Sequence, residues 1–198
     1  MRSAFDKLIS WTGLALAAVL LVAGGLLTWA NTFIDNQVHD QLSMQGITMP
    51  EGEALSSLPE ADAEALEQYA GSPLDTGPEA KAFADHYILV HMNSASDGRT
   101  YEEVSGEFIQ LSDEEKASPD GQALGQLRQT LFMGDTLRGL LLYGYAFATI
   151  GTIAGIAAIV SFGGAALLLV LVALGLWHAR RVEHPAERTG SVGVPAHA

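Results

Sequence analysis

Three histidines, His39, His86 and His91, lie among many carboxylates in the middle of this 198-residue chain. Two histidines and one carboxylate form the ligand set of non-haem iron oxygenases, so iron is the first chemistry that these residue types suggest. His86 and His91 are five residues apart, which separates them by about 140° around a regular helix. Because such a pair cannot face one metal ion, we predict packing or surface histidines rather than a metal site.

A hydrolase is the second chemistry to consider, because Asp85 and His86 are adjacent and Ser94 and Ser96 follow them. The sequence contains no G-x-S-x-G motif that would expose a nucleophilic serine, and no glycine-rich phosphate-binding loop. Its acidic runs, such as residues 113–115, are typical of solvated faces. We therefore predict a protein that is not an enzyme, with no catalytic residue and no cofactor.

Charge and cysteine content exclude further classes of function. The chain has no cysteine, which excludes disulfides, iron–sulfur clusters and thiolate metal sites. Residues 35–137 hold 20 of the 23 acidic side chains and only four basic ones, a formal charge of −16. Nucleic-acid binding depends on neutralising phosphates, so we predict no nucleic-acid partner. This acidic surface either attracts cationic partners or serves solubility, and the sequence leaves both open.

Two long segments without a formal charge flank the acidic region, residues 8–34 and residues 139–177. A helix needs about 20 apolar residues to cross the hydrocarbon core of a bilayer, and both segments exceed that length. We predict an all-α membrane protein with two transmembrane helices and a small, mainly helical extracytoplasmic domain between them. The predicted divisions are a cytoplasmic N-terminus at 1–7, a first span at 8–34, the acidic domain at 35–138, a long second span at 139–177 and a disordered cytoplasmic tail at 178–198.

Basic residues lie at the far ends of the two apolar segments. Arg2 and Lys7 precede the first segment, and Arg180 and Arg181 follow the second. Positive charges close to the ends of a span remain in the cytoplasm. We therefore predict a cell-membrane protein with both termini in the cytoplasm and the central domain outside.

Each apolar segment has an alternative interpretation. A cleaved signal peptide is disfavoured for the first, because its apolar run exceeds the usual 7–15 residues and TWA at 28–30 is a poor cleavage site. The second segment would form a helix about 58 Å long, so it either starts outside the bilayer or breaks into a hairpin at 161–166. A hairpin would place Arg180 and Arg181 outside, so we favour one long helix that starts near Gln122.

Small residues recur on one face of each predicted span. Small side chains allow the close backbone approach by which helices associate in lipid. The candidate packing residues are Gly13, Ala17 and Gly24 in the first span and Gly144, Gly151 and Gly155 in the second. The sequence leaves open whether the two spans pack on each other or on a partner protein.

The external domain is predicted to be a helical cap. Residues 47–50 form an extended piece, residues 59–69 a short helix, and an amphipathic helix starts at Pro78 and ends before an Asp-Gly turn at 97–98. Residues 100–104 form either an extended piece or a helical turn. The residues that we expect to anchor the cap are Tyr87, His91 and Tyr101.

Several short motifs resemble a family of small two-span membrane proteins of actinobacteria. They are Asn36-Gln37 after the first span, ITMP at 47–50, DGRTYEEV at 97–104 and LRGLL at 137–141. Members of that family are often labelled aromatic ring-opening dioxygenases, a chemistry that the histidine spacing here does not support. Proteins similar to them also occur as accessory subunits of the actinobacterial cytochrome bc–aa3 respiratory supercomplex, so the resemblance implies a place beside that complex.

The sequence therefore favours a non-enzymatic accessory or scaffold protein. Its predicted partners are the lipid bilayer and one or more membrane proteins, with respiratory-chain subunits implied by the resemblance alone. Two alternatives from other classes are an extracytoplasmic ligand or cation sensor and a non-haem iron dioxygenase.

Overall fold

The structure is a computed structural model that describes residues 2–183, together with the side chains of residues 8–178 and of Arg180. All the secondary-structure elements assigned in residues 2–183 are helices, which confirms the all-α class. One isolated antiparallel bridge joins Thr48 to Pro73. Most of the predicted cytoplasmic tail, residues 184–198, lies outside the described residues.

Two very long helices and several short ones make up this part of the chain. In chain order they are α1 (Arg2–Ser43), α2 (Glu53–Ser56), α3 (Glu60–Glu67), α4 (Gly77–Phe83), a π-helical segment (Ala84–Ile88), α5 (Leu89–Ser96), α6 (Tyr101–Gln110), α7 (Asp113–Ala117) and α8 (Pro119–Glu183). Among the described residues, α1 and α8 are the two helices long and apolar enough to cross a membrane. The described residues divide into two compact units, the helix-pair unit (residues 2–31 and 152–183) and the cap unit (residues 32–151).

In the helix-pair unit, α1 and α8 pack side by side in opposite directions. A Cβ atom built on Gly13 would lie 2.8 Å from Val172, and one built on Gly24 would lie 2.9 Å from the ring of Phe162. Contacts closer than about 3 Å leave no room for a side chain on α1 at these levels, so glycine permits the approach. Residue numbers rise along α1 as they fall along α8, which makes the pair antiparallel.

The predicted packing residues of this unit lie on that contact. Ala17 is fully buried, and a Cβ built on Gly155 would meet Asn31 at 3.2 Å. The other small buried side chains of the unit are Ser10, Ala154, Ala158 and Ala165. Within this chain the two long helices pack on each other along this face.

In the cap unit, residues 119–151 of α8 form a support against which the shorter helices pack. Gly77 at the start of α4 lies against Ala148, and Met92 in α5 lies against Gly134. The core of the unit consists of Leu42, Met49, Leu58, Leu66, Leu74, Ala80, Ala82, Phe83, Ala84, Ile88, Met92, Val104, Leu131 and Leu141. These side chains come from α1, α8 and the helices between them, so the ends of both long helices belong to the core of this unit.

Three of the short helices start with a capping box, in which a hydroxyl and a glutamate satisfy each other's backbone N–H groups. The pairs are Thr76 with Glu79 in α4, Thr100 with Glu103 in α6, and Ser112 with Glu115 in α7. At α6 the backbone N–H of Thr100 donates to the Glu103 carboxylate at 2.8 Å. This cap starts a ten-residue helix at Tyr101, so residues 101–104 are helical and only the cap residue Thr100 is extended.

The helix α8 runs without a break across residues 161–166, where the hairpin alternative would have required a turn. It begins at Pro119, three residues before the predicted start. The hydroxyl of Ser118 accepts a hydrogen bond from the backbone N–H of Gly121 at 3.1 Å, and proline at the first helical position has no N–H to satisfy. The second long helix is therefore one continuous element of 65 residues.

The contact between α1 and α8 can be tested with two neighbouring glycines. We expect Gly24→Leu to destabilise the protein by about 1–3 kcal/mol, because the added side chain has to displace the Phe162 ring. Gly25→Leu is the matched control, since nothing lies within 4 Å of a Cβ built there. Thermal unfolding in detergent, followed by circular dichroism, should show a lower midpoint for Gly24→Leu only. Equal midpoints for the two variants would contradict the packing described.

Candidate functional site

One π-helical segment, Ala84–Ile88, interrupts the helical stretch between α4 and α5. Such segments are rare and are often found at functional sites. This segment contains Asp85 and His86, which were considered above as catalytic or metal-binding residues, and Tyr87, which was predicted to anchor the cap. The structure thus corrects the prediction of one regular helix here, while Ala84 and Ile88 are buried as the amphipathic pattern indicates.

The Asp85 carboxylate pairs with two basic side chains, Lys81 and Arg138, and so links the π-helical segment to α8. Its carboxylate accepts hydrogen bonds from the Lys81 ammonium and, at 2.8 Å, from the Arg138 guanidinium. Partial burial raises the pKa of Asp85, but the hydrogen bonds and charges of Lys81 and Arg138 outweigh burial and leave the pKa below its ordinary value. Lys81 also lies 5.8 Å from the centroid of the Tyr145 ring. The arrangement is an ion-pair cluster in which one carboxylate serves two cations, which suits packing better than proton transfer.

The three histidines considered for iron binding contact different partners. His86 Nδ1 lies 2.8 Å from Asp62, His91 Nδ1 lies 2.8 Å from the backbone carbonyl oxygen of Tyr87, and His39 Nδ1 lies 3.7 Å from Asp75. Across the π-helical segment the regular-helix angle between His86 and His91 no longer applies, but their ring nitrogens still serve separate contacts. In the part of the chain that the structure describes, no three His, Asp or Glu side chains form a group that could hold a metal ion.

The predicted anchor residues belong to two clusters. The Tyr87 ring stacks on Phe83, with centroids 4.8 Å apart, and its other neighbour is the exposed His91 ring at 4.3 Å. Tyr101 instead lies 5.8 Å from the ring of Phe132 on α8. Both tyrosines therefore pack within the cap unit, as anchors would, while His91 lies at the solvent edge of its cluster.

Arg128 of α8 joins the second of these clusters. Its Nε donates to the Ser105 hydroxyl at 2.9 Å, and its guanidinium lies 5.5 Å from the Phe108 ring centroid and 5.9 Å from that of Tyr101. A hydrogen bond with Ser105, followed by one with Arg128, lowers the pKa of Tyr101 from its ordinary value. No local pattern predicts this cluster, because Ser105 and Arg128 are 23 residues apart.

An apolar groove lies between the end of α1 and α8 in the cap unit, and it is here called the α1–α8 groove. It is lined by residues between Phe33 and Gln45, at the end of α1 and in the turn after it, and by α8 residues between Leu140 and Ile150, and its volume is about 610 Å³. Large apolar side chains remain exposed along it: Tyr143 is 67% exposed and Met44 is 78% exposed. The groove therefore offers apolar surface that residues 2–183 leave uncovered.

The two walls of the groove differ in polarity. Gln37 and Gln41 line the α1 wall four residues apart, which places their side chains in one row along the helix, and Gln45 follows them in the turn after α1. Leu140, Tyr143 and Phe147 line the α8 wall and provide most of its apolar surface. None of the lining residues carries a formal charge. Such a groove can bind an apolar group and offer it amide hydrogen bonds along one side.

Sequence reasoning did not identify this groove. The three- and four-residue spacings of Leu140, Tyr143 and Phe147 were visible, but the end of any membrane helix can show the same pattern. What makes the groove is the pairing of α8 with α1, shown by the contact of Leu42 with Gly144. That pairing is a long-range contact and has no local signature.

Comparisons with known proteins give no relative for this fold or site: no protein-family model, no curated protein and no solved structure matches the chain.

The Asp85 cluster predicts a pH-dependent stability. A carboxyl whose folded pKa lies below its unfolded value, about 3.9, stabilises the fold above that value and loses this contribution as the pH falls through the folded pKa. We expect Asp85→Asn to lower the free energy of unfolding by about 1–3 kcal/mol at pH 7, because Lys81 and Arg138 lose their anionic partner. The cost should shrink below about pH 4, where the wild-type carboxyl becomes protonated.

Unfolding midpoints measured between pH 7 and pH 3 would check this expectation. Glu64→Gln, which alters an exposed carboxylate of α3, is the control and should follow the wild type throughout. If the unfolding midpoint of Asp85→Asn lies below that of the wild type by the same amount at pH 7 and at pH 3, the ion pairs are not the cause of the difference.

Proposed function

We propose that this chain is a non-enzymatic integral membrane protein that crosses the bilayer twice and serves as an accessory or scaffold subunit of a larger membrane complex. Two described helices have the length and apolar character that a span needs. The basic residues at 2, 7, 180 and 181 favour cytoplasmic termini and an extracytoplasmic cap unit. The histidines and the Asp85 carboxylate have neutral or ionic partners within the protein, which fits a structural role.

The observation that carries the proposal is the apolar surface that remains in the cap unit after α1 and α8 have packed. Leu140, Tyr143 and Phe147 are each more than half exposed, and they line one continuous groove. Soluble surfaces rarely expose contiguous apolar side chains unless another molecule covers them. A scaffold subunit requires such a surface, whereas an enzyme or a transporter requires reactive or ionisable groups in a cavity.

The resemblance found in the sequence suggests which complex to examine first. It implies a place beside the cytochrome bc–aa3 respiratory supercomplex, and within this proposal the chain would be an added subunit without a redox centre. The second candidate, a cation sensor, would use the polar cleft between α6 and α8. Two carboxylates of that cleft are engaged within the protein, Glu107 with Arg99 at 3.0 Å and Glu115 in the cap of α7. This observation favours the scaffold over the sensor.

The proposed topology can be tested directly because the chain has no cysteine of its own. We expect Ser94→Cys, in the exposed surface of α5, to react with a membrane-impermeant maleimide added to intact cells. Ser191→Cys, near the C-terminus, should react only after permeabilisation. The reverse pattern would overturn the orientation, and equal labelling of both in intact cells would contradict two spans.

Association with a complex needs a separate measurement. Purification of the full chain from its native membrane in mild detergent should yield a stoichiometric complex containing another membrane protein. Recovery of a free monomer from fully solubilised membranes would contradict the accessory role.

A further inference from the structure

The α1–α8 groove extends beyond the part of the membrane that lipid tails can cover. The uncharged run of α1 ends at Asp35, and a charge at that position cannot be drawn into hydrocarbon without a large cost. From Asp35 to Ser43, where α1 ends, the helix rises about 12 Å at about 1.5 Å per residue, and Met44 and Gln45 continue the groove beyond that end. The polar headgroup layer on one side of a bilayer is only about 5–8 Å thick. At least the far half of the groove therefore faces water.

The exposed side chains of that far half are apolar nevertheless. Met44 and Leu140 lie at this end of the groove, and both are more than half exposed. A lipid headgroup cannot shield apolar surface that extends beyond the headgroup layer. The occupant that fits the whole length is a rigid apolar element that continues out of the bilayer, which describes a helix of another membrane protein.

Charge decides between a second copy of this chain and a different protein. The groove itself is uncharged, but Asp40 lies beside it on α1, in an adjoining cleft that shares Gln37, Gln41 and Met44 with the groove. Residues 35–137 carry a formal charge of −16, so two copies docked through this face would bring like charges together. A partner with lysine or arginine next to its apolar helix complements Asp40 instead.

We propose that the α1–α8 groove binds one apolar helix of a different membrane protein, and that basic residues of that protein lie against Asp40. The helix packs its apolar face on Leu140, Tyr143 and Phe147, as a third helix packs into the groove between two others. Gln37, Gln41 and Gln45 donate and accept hydrogen bonds with hydroxyl or amide side chains on the adjacent face of the bound helix. This inference rests on the accessory role and specifies the surface and partner chemistry that would serve it.

Site-specific photocrosslinking in the native membrane tests the groove. Tyr143 is replaced by p-benzoylphenylalanine in the full chain, and Ile109 is replaced in the same way as a control, since it is equally exposed but lies on α6 away from the groove. We expect a discrete protein adduct from position 143 and none from position 109. Mass spectrometry of the adduct should identify an apolar segment flanked by lysine or arginine.

Each other outcome overturns the groove assignment in a definite way. An adduct with this same chain identifies a dimer face, and an adduct with lipid alone identifies a lipid site. If a complex still co-purifies but position 143 gives no adduct, the accessory role stands and the groove is not its contact. If no complex co-purifies, the accessory role itself fails.

Substitution provides a second measurement on the same surface. Tyr143→Glu should reduce the amount of co-purified partner by about tenfold or more, as expected when a central aromatic contact is replaced by a charge beside acidic groups. Ile109→Glu should leave the recovery unchanged. The expression level and unfolding midpoint of both variants show whether folding is intact, and equal recovery from folded forms of both would overturn the proposal.

Discussion

Close backbone contact between α1 and α8 is the interaction on which the other features of the helix-pair unit depend. Apolar lipid tails provide no hydrophobic force to join two apolar helices, so association relies on packing at short distance. Gly13 and Gly24 allow α8 side chains to reach the α1 backbone, and Ala17 fills the space between them. Because the small residues occupy the contact, the large apolar side chains point outward, where Trp11 and Trp29 are both exposed. Such exposed apolar side chains fit the proposed place of the two helices in a bilayer.

The acidic composition of the cap unit has a structural use in addition to its surface charge. Glu79, Glu103 and Glu115 each complete a helix cap, and short helices in a small domain depend on such caps to start. Burial raises the pKa of Glu79, but hydrogen bonds from Thr76, Asp75 and Ser72 outweigh it and lower the pKa. The backbone N–H and the hydroxyl of the cap residue likewise hold the pKa of Glu103 and Glu115 below the ordinary value. These carboxylates are thus committed to the fold and carry their negative charge at neutral pH.

The sequence predicted the all-α class and the presence of two long apolar helices, because composition and charge along the chain determine both. It also indicated the small residues that the structure places between α1 and α8. It missed the cap at Thr100, although a threonine followed three residues later by glutamate was a visible signal. The sequence did not predict the π-helical segment or the α1–α8 groove, since both arise where separate helices pack together. Orientation in the membrane and the partner remain predictions from charge and from resemblance.

The antiparallel contact of α1 with α8 is the central structural claim, and paired cysteines in this cysteine-free chain test it most directly. The hydroxyl oxygen of Ser10 would lie 3.1 Å from a Cβ atom built on Gly175, which suits the geometry of a disulfide. With Ser10→Cys and Gly175→Cys together, mild oxidation in native membranes should form an intramolecular disulfide rapidly. Pairing Ser10→Cys with Leu171→Cys, about one helical turn away, should give little product. Faster oxidation of the second pair, or none in the first, would contradict the described arrangement of the two helices.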